Sequence, residues 1–153
     1  MWSKVLIALI SAVVFAVIAS CSQYFIWQIT FKDVMNDEAF DGIWRAMNDP
    51  AWTYGLPFAN FIYGISFYIA YTLLKNAMLW CYKPYLRGSL LGLVIWLFIG
   101  LTGSILWFIA HPVNELLMLA SMLDQLLTLA IGGGAVAFIV EKHIERKNRL
   151  III

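Results

Sequence analysis

Residues 17–27 read VIASCSQYFIW, and two readings of this stretch lead to different folds. Ile18-Ala19-Ser20-Cys21 has an apolar residue and two small residues ahead of a cysteine, the order of an acylation-and-cleavage signal. Lys4 and an apolar run precede it, as a secretory leader requires. On that reading the chain is cut before Cys21, and three membrane spans follow a lipidated cysteine. The residues beyond the cysteine favour the other reading. A lipidated chain continues in a polar tether, whereas SQYFIWQITF stays apolar and aromatic, with Trp27 and Phe31 where the interfacial anchors of an uncut helix belong. We therefore read a transmembrane helix whose small residues Ala12, Ala16, Ala19 and Ser20 let a second helix come close.

The whole chain has the same character. Of 153 residues, 63% are hydrophobic and 12% charged, against about 25% charged and 45–50% apolar in soluble domains. Stretches of about 20 apolar residues cross a hydrocarbon layer as helices. Four such stretches are expected, at residues 4–27, 52–74, 88–110 and 114–140. The expected fold is an all-α, integral membrane four-helix bundle forming one domain over residues 1–153. Its connectors are residues 28–51 and 75–87, and residues 141–153 form a tail.

Charge sets the orientation. Lys4, the 75–87 connector with Lys75, Lys83 and Arg87, and the tail with Lys142, Arg146, Lys147 and Arg149 hold eight of the ten basic residues. The positive-inside rule puts these regions, and so both termini, in the cytoplasm of a bacterial inner membrane. The 28–51 loop carries Asp33, Asp37, Glu38, Asp41 and Asp49 against Lys32 and Arg45, and is read as external. Within it Phe40, Ile43, Trp44 and Met47 recur at helical spacing, predicting a short amphipathic helix on the outer surface that ends before Pro50. A net charge of +1, with the basic residues spread over loops, gives no nucleic-acid footprint. The partners expected are the lipid bilayer and a second copy or another membrane protein.

Polar residues inside the spans mark the candidate site. Asn60, Gly64, Tyr68 and Tyr71 share one face of the second helix, with Asn60 roughly 9 Å inside the boundary. In the fourth, Asp124 lies about ten residues, or roughly 15 Å, in from Asn114, near the middle of the hydrocarbon. A carboxyl at that depth must be paired, neutral or open to a cavity, and is by default a functional-site candidate. Ser121, Gln125, Thr128, Gly132 and Ala135, at spacings of three and four, line one side of the helix. The spans offer it no basic partner at matching depth, only Gln23, Asn60, Tyr63, Tyr68 and Thr102. The ligand or polar-cluster candidates are therefore Asp124, Gln125, Asn60, Gln23, Tyr63, Tyr68 and Thr128. Gly88, Gly92, Gly100, Gly103 and Gly132 are expected at close helix contacts.

Chemistry beyond binding has little support. His111 and Glu115 are too few ligands for zinc, and His143 lies across the membrane, so no metal site is expected. The serines have no histidine at their depth, which leaves no nucleophile with a base and no catalytic residue to name. Gly132-Gly133-Gly134 sits inside an apolar run without phosphate-loop context, and no cofactor is expected. Cys21 and Cys81 fall on opposite sides of the bilayer, too far apart for a disulfide. The apolar tail Leu150–Ile153 is read as a return to the membrane surface or a partner contact.

Trp44-Arg45 in the external loop, Arg87-Gly88 with Gly92 opening the third span, and His111-Pro112 before a glycine-rich last helix form a recognisable set. In these features the chain resembles a group of small bacterial inner-membrane proteins of unknown function with four spans. The resemblance implies the four-span architecture and brings no activity or cofactor. The expected role is structural or accessory, as an interaction protein. The alternative is a binder or conductor of a small hydrophobic ligand, lipid or cation through a pocket around Asp124 in the outer half.

Overall fold

The computed structural model describes residues 2–30, 51–78, 80–110 and 115–151. Among these residues every regular element is helical. Helix α1 (Trp2–Thr30) is apolar around its whole circumference, as a helix solvated by lipid can be. It runs unbroken through Ile18–Cys21. A π-helical turn, Ala51–Gly55, leads into α2 (Leu56–Leu74), which tightens into a 3-10 turn at Lys75–Met78. Helix α3 (Pro84–Ile95) passes through a π-helical segment, Trp96–Leu101, into α4 (Thr102–Ala110). Helix α5 (Glu115–Leu127) passes likewise through Thr128–Gly132 into α6 (Gly133–Ile151).

Four helical rods are long and apolar enough to cross a membrane: Ser3–Ile26, Thr53–Met78, Pro84–Ala110 and Met118–Arg146, here spans 1 to 4. Span 3 begins earlier than the expected residue 88, for a local reason. Lys83 is extended (φ −90°, ψ 121°) as a residue before proline prefers, and Pro84 sits in the first turn, where its missing N–H costs nothing. The last helix continues through residues 141–151, which the sequence assigned to a tail. The amphipathic helix expected around Phe40–Met47 and the His111-Pro112 turn lie outside the described residues.

The rods alternate in direction, so the start of span 1 and the end of span 4 share one end of the bundle. At that end Tyr68 Oη donates to Lys4 O (3.5 Å) and Tyr71 Oη to Glu141 Oε1 (3.2 Å). Spans 1 and 4 form the central pair, with span 2 packed mainly on span 1 and span 3 on span 4. The core follows this pairing, with Ile7, Phe15 and Ala19 meeting Phe67, Tyr71, Leu91, Leu129, Val136, Ala137 and Val140. The Phe15 and Phe67 rings stack at 5.7 Å. Cutting the chain at Cys21 would strip Ile7, Ser11, Ala12, Phe15 and Ala19, all buried, from the middle of this core.

Lipid tails are as apolar as leucine, so close packing and hydrogen bonds must hold such helices together. The tightest contact joins spans 3 and 4. A Cβ on Gly88 would collide with the Gly133 carbonyl, and one on Gly92 with the Leu129 carbonyl. Gly132 lies under the Phe15 ring and Gly100 against Gln125 and Trp96, as the packing expectation requires. Gly103 is a correction, since a Cβ there would meet nothing within 4 Å. It lies on an exposed face of α4, where glycine spacing alone carries no information about a neighbour. Gly64, seated on the Ala12 backbone, is a packing glycine that the sequence placed only on the Asn60 face.

Candidate functional site

Away from the termini, polar side chains from three spans converge. The turn of α1 beyond Ala19 carries Ser20, Ser22 and Gln23. Ser22 Oγ donates to Asp124 Oδ1 at 2.8 Å. Asn60 Nδ2 donates to Gln23 Oε1 at 2.8 Å and to Ser20 Oγ at 3.3 Å. Asp124 and Asn60 are only 6% and 7% exposed, whereas their partners Ser20, Ser22 and Gln23 are half-buried. Thr128, one turn along from Asp124, is close to its carboxyl but outside hydrogen-bonding geometry. Its buried Oγ1 has no partner among the described residues.

These groups border a cavity of about 330 Å³, lined by Phe15, Gln23, Asn60, Tyr63, Ile95, Ile99, Gly100, Asp124, Gln125, Thr128 and Leu129. All four spans contribute. The volume falls within the range of roughly 300–1,000 Å³ typical of small-molecule sites. Tyr63 of span 2 and Ile99 of span 3 line it while remaining 53% and 62% exposed, so the mouth opens between those two spans. Both π-helical segments of spans 3 and 4 border the cavity. Ala130 O, within the π-helical segment of span 4, accepts from Ser89 Oγ (2.7 Å), and Trp96 Nε1, at the start of the span 3 segment, donates to Met122 O of α5 (3.1 Å).

Of the candidates read from sequence, Gln23, Asn60, Tyr63, Asp124, Gln125 and Thr128 line this one cavity. Tyr68 is a correction. It is two turns from Asn60 toward the termini end, where its hydroxyl reaches Lys4, and sharing a helical face does not bring it to the same depth. Thr102 is exposed and does not reach Asp124. The partner of Asp124 is Ser22, which sequence reasoning passed over. Four residues short of Ile26, it was legible as a hydroxyl at the depth of Gln23. Ser22 lies seven residues beyond Phe15, the midpoint of Ser3–Ile26, so the carboxyl sits beside the first rod roughly 10 Å along it from its midpoint.

A second polar cluster closes the termini end. Tyr71 and Lys75 from span 2 and Arg87 from span 3 converge on Glu141 Oε1 of span 4, at 3.2, 3.6 and 3.7 Å. Arg87 Nε also donates to Cys81 O at 2.7 Å. Spans 2 and 3, which frame the open mouth at one end, are thus tied through Glu141 at the other. Among the described residues no three His, Cys, Asp or Glu side chains gather into a metal-binding group. Comparison of the chain with protein-family models, with curated proteins and with solved structures finds no match.

Proposed function

We propose that this chain is a multi-pass protein of the bacterial inner membrane, with both termini cytoplasmic, and that its cavity binds a small amphiphile taken from the bilayer or a cation taken from the aqueous phase. The observation that carries this reading is the placement of Asp124 and Thr128. Both are buried at the wall of a cavity that also carries Gln23, Asn60 and Gln125, so a cluster of polar groups faces one enclosed space between four apolar helices. Polar groups in a membrane interior are costly and are retained where they meet a ligand or one another. A ligand would rest its apolar part on Phe15, Ile95, Ile99 and Leu129 and direct its polar head to Asp124, Gln125 and Thr128. The orientation rests on the eight basic residues assigned to the termini side, and the external position of the 28–51 loop follows from it.

Native mass spectrometry of the intact chain released from mild detergent tests the cavity reading. A stoichiometric small-molecule adduct on the parent, lost in Asp124→Leu, is the expected result; a parent that flies bare would count against it. A structural or accessory role is the second reading, favoured by the backbone-to-backbone contact of Gly88 and Gly92 with span 4 and by the mutual pairing of Asn60 with Gln23. On that reading Asp124→Asn and Asp124→Leu change stability alone.

A further inference from the structure

At the termini end, a second feature is independent of the cavity. Tyr82, Lys83, Pro84 and Tyr85, where the connector enters α3, face Phe138 and Lys142 of α6 across an open groove of about 510 Å³. An adjoining groove of about 430 Å³ shares Phe138 and Lys142 and adds Arg146. Each lysine is held over an aromatic ring. Lys83 Nζ lies 5.9 Å from the centre of the Tyr85 ring, and Lys142 Nζ 5.3 Å from that of Phe138. A ring face steadies an ammonium while leaving its N–H groups free to donate. Lys75 and Arg87 pair with Glu141, whereas neither Lys83 nor Lys142 pairs with a carboxylate among the described residues. One carboxylate, Glu145, borders both grooves, so Lys83, Lys142 and Arg146 outnumber it. The level is also telling. Pro84 begins the apolar stretch of span 3 and Arg146 ends that of span 4, so the grooves lie where apolar helix gives way to charge.

We propose that this groove seats the phosphate headgroup of an anionic glycerophospholipid. Lys83 and Lys142 would donate to the phosphodiester oxygens from opposite walls, Arg146 would add charge from the adjoining groove, and the aromatic rings would lie against the glycerol and the first acyl carbons. Exposed Trp80 and Tyr82, 71% and 92% accessible, suit the same headgroup layer.

The test is a lipid titration of the intact chain in mild detergent, read by native mass spectrometry, with phosphatidylglycerol and phosphatidylcholine as probes. Three proteins are compared: the parent, the double variant Lys83→Gln/Lys142→Gln, and Lys4→Gln, which removes an exposed charge outside the groove. The parent should bind phosphatidylglycerol in preference to phosphatidylcholine. The double variant should bind phosphatidylglycerol about 20-fold more weakly, and Lys4→Gln should stay within about twofold of the parent. Equal loss in Lys4→Gln would reduce the effect to general surface attraction and overturn the proposal. So would undiminished binding by the double variant. Displacement of the lipid by millimolar inorganic phosphate would make the groove a site for free phosphate and overturn the lipid assignment.

Discussion

Ser22 Oγ donates to Asp124 Oδ1 at 2.8 Å, a bond that joins residues 102 positions apart and ties span 1 to span 4 beside the cavity. The donor lies just beyond the cysteine whose surroundings first made the fate of the first helix a question. The bond, with the neighbouring pair of Gln23 and Asn60, gives that turn of α1 a structural task that a polar tether would not have.

The first prediction concerns this bond. Ser22→Ala removes the donor and should lower unfolding free energy by about 0.6 kcal/mol, the average for hydrogen bonds between membrane helices. Asp124→Leu should cost more, about 1–2 kcal/mol, because Ser22 loses its acceptor at a part-buried position. Reversible unfolding in mixed micelles measures both. A stability for Asp124→Leu equal to or above the parent's would show that the carboxyl is retained at a cost to the fold.

Backbone contact between spans 3 and 4 supplies a second prediction. Gly92→Ala places a methyl group against the Leu129 carbonyl and should destabilise by about 1–3 kcal/mol, the range for overpacking. Gly103→Ala, in open space, should lie within about 0.5 kcal/mol of the parent. Thermal aggregation of the detergent-solubilised variants separates the two, and equal effects would refute the packing assigned to Gly92.

Glu141→Gln leaves Lys75 and Arg87 facing a neutral amide at a site where their side chains are only 21% and 12% exposed. The expected loss is about 1–2 kcal/mol, between the values for surface and buried pairs. Tyr71→Phe removes a single hydroxyl and should cost less. The ordering of the two variants in the same unfolding assay is the check.

Orientation is open to a direct measurement. In a background with Cys21 and Cys81 replaced by serine, Lys142→Cys and Lys83→Cys should react with a membrane-impermeant maleimide only after the inner membrane is opened. Labelling in intact spheroplasts would reverse the proposed topology.

Much of the fold was legible because lipid solvation writes a coarse signal. Four apolar runs, each long enough to cross, needed no tertiary information to be found, and most of the cavity could be read because Asn60, Asp124 and Gln125 are conspicuous in such runs. Ser22, between Cys21 and Gln23, was missed because a serine within an apolar helix reads equally well as a small packing residue. Tyr68 was misplaced because helical spacing reports azimuth and the site also required depth. Glu141 looked like part of a charged tail, since nothing in the order of residues reveals that Tyr71, Lys75 and Arg87 reach it from other helices. The π-helical segments depend on how spans 3 and 4 mesh, and no proline marks them.

The pairing of spans 1 and 4 bears on biogenesis. The chain leaves the ribosome from its amino end, so span 1 enters the membrane long before its main partner has been translated. Ser11, Ala12 and Phe15, sealed in the finished bundle, must meanwhile be shielded by span 2 alone, by lipid or by insertion machinery. Arrest of translation ahead of span 4 would therefore leave Phe15 without Gly132, the glycine that its ring covers in the finished bundle.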